Sequence, residues 1–551
     1  MTGSVGTAYP KLINRPASWL FTTAVFGIGL AWFAVGVERV GLASSYADPV
    51  SQIPAQDDAV YAREAIEMAQ GGTWLTPQYL GRHALNKPPL LQCLAAASVK
   101  LFGISNWALR VPSLFAAALV LALVFALTRY LYSVSVAAGA VLLLASSHLF
   151  YVFSRVTMTD MLLTLWITCA MGVLAYDPAF ERRFSWVLFG AATGAAILTK
   201  AAAGLVPLIA FAGTFALLPA KLRPRPRAII SALGATAAVA LPWHLYELVV
   251  HPRWFVAEYI LTQHLSVGVT APPQYTNENH LAFYARRLFL MDPVLALLAA
   301  LSVPLVVRNR RAHPFLAAWL VVTLAVLFGF RYRSAYYLLP LLPVLALMAA
   351  EFIAAFPRMR GAVLAALIAC AVIKTVSAAP VWGIDAGRES HRPIAPSLDR
   401  YCAKHRGNDL IIVGQEDQFY ASDLPLPRVR YCIFAPQPAP GAPLDFAWLG
   451  ISVSAAEFDH LDALRPVFRQ RLTEFNLPSD APVGTVIRAA SLGEVAGLIE
   501  KHPGSDFWIP AEMLRGLNLQ IPQQIELSGA GGVFLLARQS SVHEPARACR
   551  F

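Results

Sequence analysis

A few carboxylates and a few cations sit where apolar runs of this chain begin or end. Asp57 and Asp58 open the polar stretch Asp57-Asp58-Ala-Val-Tyr-Ala-Arg63-Glu64, and Asp160 follows Arg155-Val-Thr-Met-Thr at the head of an apolar run. Lys87 precedes Pro88-Pro89, Lys200 lies between two apolar runs, and Arg331 and Arg333 follow a third. Each has an ordinary explanation. Acids favour the first turn of a helix, Asp is a common N-cap, and lysines near span ends snorkel to the interface. As a set they suggest something sharper. Lys and Arg make charge-assisted hydrogen bonds to phosphate oxygens, and a carboxylate beside them can orient or deprotonate an acceptor. That is chemistry on a phosphate-bearing donor.

The elements that must hold these residues are membrane helices. AVILMFWYC residues make up 57% of the 551 positions and DEKR only 14%, where soluble proteins carry about 25% charged residues. Mean hydropathy is +0.54. Several runs approach the roughly 18–20 apolar residues that cross a bilayer, so the chain reads as polytopic. Disorder and collagen-like repeats are excluded, and six Cys are too few for a disulfide scaffold. The net charge of +11 does not point to nucleic acid, because the Lys and Arg lie between apolar runs and set topology.

Lys11 and Arg15 precede the run Trp19–Val37, which reads as an uncleaved first helix rather than a signal peptide, since it is long and more spans follow. Further spans are expected near 107–128, 136–153, 161–176, 184–199, 203–219, 228–249, 287–306, 314–330, 336–356 and 361–379. Basic clusters lie at Arg129, at Arg182 and Arg183, at Lys221 to Arg227, at Arg308 to Arg311, and at Arg358 and Arg360. A cytoplasmic N-terminus and eleven spans put every cluster inside, as the positive-inside rule asks. Pro88–Phe102 is then an interfacial helix or part of a broken pair, because one more span would invert the rest. Segments 38–106, 250–286 and everything after 380 fall outside. Lys87, Lys200, Arg331 and Arg333 thus meet at the outer leaflet, the side usually poor in cations.

Two regions are expected, a membrane region over 1–379 and a soluble α/β domain over 380–551. In the second, strands are expected at Leu410–Val413, Arg430–Phe434, Trp448–Val453, Val483–Ala489 and Phe534–Ala537. Ser454-x-x-Glu457 and Ser491-x-x-Glu494 read as capping boxes, and Ala435–Pro443 is a Pro-rich link. Cys402 and Cys432 both fall there and could bridge or stay free; Cys93, Cys169 and Cys370 sit in apolar segments as packing residues. The sequence carries no internal repeat, P-loop, strand-borne GxGxxG or zinc-type Cys/His spacing.

A series of motifs, in order, resembles the GT-C glycosyltransferases that use polyprenyl-phosphate sugars. It is nearest to the bacterial lipid A aminoarabinose transferases and their protein-mannosyltransferase-like relatives. Asp57-Asp58-Ala59-Val60-Tyr61 is similar to Asp-Glu-Ala-Arg-Tyr, Gly71 to Pro77 to Gly-Asp-Trp-x-x-Pro, and Asn86-Lys87-Pro88-Pro89-Leu90 to Glu-Lys-Pro-Pro-Leu. Arg155 with Thr159-Asp160, Leu198-Thr199-Lys200, Pro242-Trp243, and Arg333-x-x-x-Tyr337-x-Leu-Pro340 complete the series over about the first 350 residues. The departures are Asp58 for Glu, Val60 for Arg, Asn86 for Glu and Arg333 for Lys. Val60 removes one phosphate or substrate contact, and Asn86 removes a carboxylate that could help hold a metal.

The resemblance implies a polytopic α-helical membrane protein of GT-C type, with about 11–13 transmembrane helices and a C-terminal soluble α/β periplasmic domain, in a bacterial inner membrane. It implies transfer of a sugar, 4-amino-4-deoxy-L-arabinose in the nearest relatives, from undecaprenyl phosphate to lipid A or another periplasmic lipid or glycan acceptor. The reaction would be a direct displacement with inversion. Asp57, Asp160 and Asp58 are the expected catalytic carboxylates. Lys87, Lys200, Arg333 and Tyr337 would hold the donor phosphate. No cofactor is required by the motifs, and a divalent metal is left open. Two other readings remain: a protein or oligosaccharide glycosyltransferase of the same superfamily, and a flippase of polyprenyl-linked lipid. Against the flippase, the spans carry few buried acids, and many transporters have an inverted repeat that is absent here.

Overall fold

The computed structural model describes residues 17–35, 37, 57–71, 73–79, 82–256, 258–260, 263–264, 279–311, 313–330, 333–359 and 361–369. Beyond them it describes 409–414, 429–434, 486–489, 491–502, 505–510, 513, 516–517, 525–528 and 533–536. Apolar runs become helices wherever a cap or a proline can start them. Helix α1 (Ala17–Ala34) packs on α4 (Asn106–Leu131). Between them come α2 (Asp57–Ala69), the two-residue strands β1 (Gln78–Tyr79) and β2 (Arg82–His83), and α3 (Leu90–Phe102). Ser105, whose hydroxyl accepts from the Ala108 N–H, caps α4.

The chain continues through α5 (Val134–Ala145), α6 (His148–Phe153), α7 (Thr159–Tyr176) and α8 (Ser185–Lys200). After the tight turn Ala201–Leu205 come α9 (Val206–Leu217), α10 (Pro226–Val250), the single turn α11 (Pro252–Trp254) and α12 (His280–Met291). Then follow α13 (Pro293–Asn309), α14 (Pro314–Gly329), the turn Ala335–Leu341 and α15 (Leu342–Ala355). Prolines in the first turns of α9, α10, α13, α14 and α15 fit positions whose N–H needs no intrahelical partner.

Among the described residues, five helices are long and apolar enough to cross a membrane: Trp107–Leu131, Thr159–Tyr176, Ser185–Leu217, Pro226–Val250 and Ala335–Ala355. Shorter apolar helices accompany them at Leu20–Ala34, Leu90–Phe102, Val134–Ala145, Pro293–Asn309 and Pro314–Gly329. Two expected spans are broken. Segment 136–153 divides into α5 and α6, because the Ser146 hydroxyl turns back to the Leu142 carbonyl and Ser147 caps the next helix. Segment 287–306 divides at Asp292, whose carboxylate accepts from the Ser147 hydroxyl at 2.7 Å and the His148 N–H at 2.8 Å. There α12 ends and α13 begins. Residues 370–379 of the last expected span lie outside the described residues.

Helices α7, α8 and α10 form the mount of the site. Gly190 and Gly194, four apart on α8, let the α10 backbone approach closely. A Cβ on Gly190 would stand 2.4 Å from the Ala232 carbonyl oxygen, and one on Gly194 2.6 Å from the Val239 Cβ. This is the small-xxx-small packing typical of membrane helices. The turn between α7 and α8 carries Arg182 and Arg183, whereas the opposite ends of the two helices carry Asp160 and Lys200. The cluster Lys221 to Arg227 likewise joins the ends of α9 and α10 remote from Lys200. Acids and cations of the expected site therefore share one end of the bundle, and arginine clusters share the other.

In the C-terminal part, six strands form one sheet in the order β5-β4-β3-β6-β8-β7. They are β3 (Asp409–Gly414), β4 (Val429–Phe434), β5 (Val486–Ala489), β6 (Ser505–Pro510), β7 (Ile525–Ser528) and β8 (Val533–Leu536). Strands β5, β4, β3 and β6 run parallel, and β8 is antiparallel to both β6 and β7. Helix α16 (Leu492–Lys501) begins at the expected capping box, with the Ser491 hydroxyl accepting from the Glu494 N–H. Its Val495, Leu498 and Ile499 pack with Ile411, Val413, Phe507 and Ile509. Strands β6 and β7 were not anticipated in the sequence. The expected strand Trp448–Val453, the capping box at Ser454, the Pro-rich link, Cys402 and the 379/380 boundary lie outside the described residues.

Candidate active site

Asp160 and Lys200 are brought together at the site end of α7 and α8. The Lys200 ammonium donates to Asp160 Oδ1 at 2.6 Å, with the Asp160 side chain 2% and the Lys200 side chain 14% exposed. The helix begins two residues earlier, at an N-cap of Met158, so Asp160 does not serve as the cap. The same ammonium lies 4.7 Å from the centre of the Tyr337 ring and 5.2 Å from that of Tyr336. Cation–π attraction and the carboxylate hold one charge between them.

The backbone just after Lys200 is strained. Ala201 has φ 44° and ψ −120°, a conformation that L-residues avoid and that costs on the order of 1–3 kcal/mol. It persists because Ala201 is buried in an apolar cluster with Leu85, Trp243, Phe255 and Tyr259. That cluster also ties the Lys200 turn to the loop before Lys87. Leu85 N–H donates to Glu258 Oε2 at 2.7 Å, and the Lys87 ammonium donates to Gln263 Oε1 at 2.5 Å. Asn86 stands between them, half-buried.

Asp58 is buried at the start of α2. Its Oδ2 faces the Arg110 guanidinium at 3.2 Å and its Oδ1 accepts from the Thr157 N–H at 2.6 Å. Oδ1 thus holds the turn that leads to Asp160, and Oδ2 ties α2 to α4. Asp57 opens α2 one residue earlier; its side chain lies outside the described part. Arg333 is half-buried and close enough to Tyr284 to act on its hydroxyl electrostatically. Arg331 lies outside the described residues. Arg155 is buried and donates to the Tyr151 hydroxyl.

Other polar groups at this end were not anticipated. Glu247, fully buried near the end of α10, accepts from the Thr76 hydroxyl at 2.7 Å and lies 3.4 Å from His251 Nδ1. Trp243, of the expected Pro242-Trp243 motif, donates its indole N–H to the Leu75 carbonyl at 2.7 Å. An acid inside an apolar run was the available signal for Glu247; Glu258 and Gln263, in a loop without periodicity, gave none. Among the described residues no three His, Cys, Asp or Glu side chains stand together as metal ligands. The metal left open by the motifs therefore gets no ligand set from them.

Residues 86–246 match the family model described as dolichyl-phosphate-mannose-protein mannosyltransferase. Over 350 residues the chain is 25% identical to undecaprenyl phosphate-alpha-4-amino-4-deoxy-L-arabinose arabinosyl transferase 2 of Proteus mirabilis, covering 59% of this chain and 62% of that protein. The transferase of the corresponding name from Pseudomonas aeruginosa is 28% identical over 351 residues, covering 61% and 59%. The match thus spans less than two thirds of these curated relatives' own length. The crystal structure of ArnT from Cupriavidus metallidurans in the apo state superposes with a TM-score of 0.62 at 15% identity, covering 96% of this chain and 100% of that one. The same protein bound to undecaprenyl phosphate gives 0.61 at 16%. At such identity the likeness is one of fold. In sequence motifs and in fold, the chain resembles the GT-C polyprenyl-phosphate-sugar glycosyltransferases.

Proposed function

We propose that this chain is a membrane glycosyltransferase that moves a sugar from undecaprenyl phosphate to lipid A or another lipid or glycan acceptor. The observation that carries the reading is the Lys200–Asp160 pair against Tyr337, with the Lys87 loop packed on the same apolar cluster. The sugar in the relatives' names is 4-amino-4-deoxy-L-arabinose, and it is our choice for this donor. The site end of the bundle faces the periplasm, the N-terminus is cytoplasmic, and residues 380–551 form a periplasmic α/β domain.

In the reaction the acceptor oxygen forms a bond to the anomeric carbon while the bond from that carbon to the phosphate oxygen breaks, with inversion. The electron pair leaves on undecaprenyl phosphate. Lys87, Lys200 and Arg333 stabilise the growing charge, and Tyr337 donates a hydrogen bond; such preorganised donors act most strongly in the transition state. The Lys200 ammonium has three donor hydrogens, so it can keep Asp160 while meeting the phosphate. Asp57 takes the acceptor's proton or orients it, with Asp160 assisting. For a hydroxyl acceptor such a base contributes roughly 10²–10⁴-fold; an acceptor phosphate is already ionised and needs only orientation. Asp58, committed to Arg110 and Thr157, is a positioning residue.

Purified chain is to be incubated with undecaprenyl-phosphate sugar, with and without acceptor. Release of undecaprenyl phosphate only when acceptor is present is expected. Passage of intact donor between leaflets without release would sink the proposal in favour of a flippase, and transfer to a peptide alone would move the acceptor to protein. Lys87→Gln and Lys200→Gln should each cost about 10–100-fold, the scale of one charged hydrogen bond. The loss is expected mainly in kcat, because the phosphate charge grows as the bond breaks.

A further inference from the structure

The segment from His251 to His264 carries a chain of contacts that ends on Lys87. On α10, His244 Nδ1 lies 2.8 Å from the Ala240 carbonyl oxygen. A carbonyl only accepts, so Nδ1 bears the hydrogen and Nε2 of the neutral ring is the acceptor. The Tyr259 hydroxyl donates to that Nε2 at 2.6 Å. Burial pushes the Tyr259 phenol above its usual range, so it keeps the proton this bond needs. The Tyr259 carbonyl in turn accepts from His264 Nδ1 at 2.5 Å. Its ring stacks on Phe255, centroids 4.8 Å apart, and meets Trp243 edge-on at 5.6 Å. Gln263, adjacent to His264, holds the Lys87 ammonium, and Glu258, adjacent to Tyr259, holds the backbone two residues before Lys87.

We propose that Gln263 and Tyr259 are positioning residues for the donor phosphate: Gln263 aims the Lys87 ammonium, and Tyr259, pinned between His244 and His264, holds Gln263 in place. The inference rests on the reading of Lys87 as a phosphate ligand. A lysine stem has four rotatable bonds, and a screened cation that wanders contributes little to a phosphate held in one place. An acceptor 2.5 Å from Nζ engages one of the three donor hydrogens of the ammonium and so restricts where it can lie. A purely structural role for Gln263 would act on folding, independently of Lys87.

The test is a double-mutant cycle read by the dissociation constant for undecaprenyl phosphate, with full-length chain in nanodiscs. Gln263→Ala is expected to weaken binding about tenfold. In the Lys87→Gln background the same change should do almost nothing, because residues acting through one contact are not additive. Tyr259→Phe, which removes only the hydroxyl, should reproduce part of the loss with the same dependence on Lys87. Should Gln263→Ala fail to fold, Gln263→Glu keeps the acceptor and adds a negative charge beside the ammonium. It should weaken binding and flatten its salt dependence. Unchanged affinity in Gln263→Ala or Gln263→Glu, or losses that add to that of Lys87→Gln, would overturn the proposal. If the unsubstituted chain binds undecaprenyl phosphate but transfers no sugar, the transfer reading fails and the cycle still decides the positioning role. Absence of binding by the unsubstituted chain overturns both.

Discussion

Two adjacent aspartates separate structure from chemistry at the residue scale. Asp58 faces Arg110, a side chain with no exposure to solvent. Removing one partner of a buried ion pair costs about 3–5 kcal/mol, far more than the pair's net worth. Asp58→Asn should therefore lower the melting temperature in detergent and reduce yield before it affects kcat. Asp57→Asn should do the reverse, abolishing transfer in a chain that still melts normally; the opposite pattern would exchange their roles. Protons provide a second test. Burial holds the imidazoles of His251 and His264 below their ordinary value, and the Lys87 charge adds to the effect at His264. Below about pH 6.5 the unfolded chain takes up protons there that the folded chain refuses, so stability is lost as pH falls through that value. Between pH 7.5 and 5.5 this loss is read as a difference: His264→Gln should lose less melting temperature on acidification than the unsubstituted chain, and equal losses would refute the assignment. That Asp160 and Lys200 share one end of the bundle was legible in the sequence, because topology put both helix ends on one side; their ion pair was not. Gln263 was not, since a neutral amide 176 positions from Lys87 leaves no local pattern.

The elements that present these side chains are mostly ordinary helices with one unusual joint. At Ala201 three effects of similar size compete on substitution by glycine. Relief of strain favours Gly by about 1–3 kcal/mol. The extra backbone freedom of Gly opposes it by roughly 0.5–1 kcal/mol, and the lost buried methyl by about 0.8 kcal/mol. Ala201→Gly is thus expected to leave thermal stability within about 1 kcal/mol. Ala201→Val, whose branched Cβ fits that backbone far worse, should prevent accumulation of folded protein. Folded Ala201→Val with normal melting would show that the turn relaxes. Helix lengths were largely readable from hydropathy and prolines. The breaks were not: the one at Asp292 depends on hydrogen bonds from Ser147 and His148 far back in the chain, and the one at Ser146 on a hydroxyl turned to Leu142 within a run that otherwise reads as one span.

At the scale of the whole molecule, charge is segregated along the bundle, with arginine clusters at one end and Asp160, Lys200, Lys87 and Glu247 at the other. If the arginine end is cytoplasmic, a maleimide that cannot cross the membrane should label Thr73→Cys in spheroplasts, and Lys221→Cys only after lysis. The reverse pattern would invert the proposed orientation. Hydropathy and the positive-inside rule made this segregation visible early; strands β6 and β7 escaped because Ser505-Asp-Phe-Trp and Ile525-Glu-Leu-Ser alternate too briefly to stand out. The glycine contact between α8 and α10 has a mechanical meaning. Backbone against backbone is a weld: no side chain there can swing aside, so Lys200 and the Trp243 region travel as one piece through any catalytic cycle. The contacts from Leu85 to Glu258 and from Lys87 to Gln263 are latches, hydrogen bonds that can open and reclose. Whatever admits a long lipid tail and releases the spent carrier must work the latches and leave the weld alone.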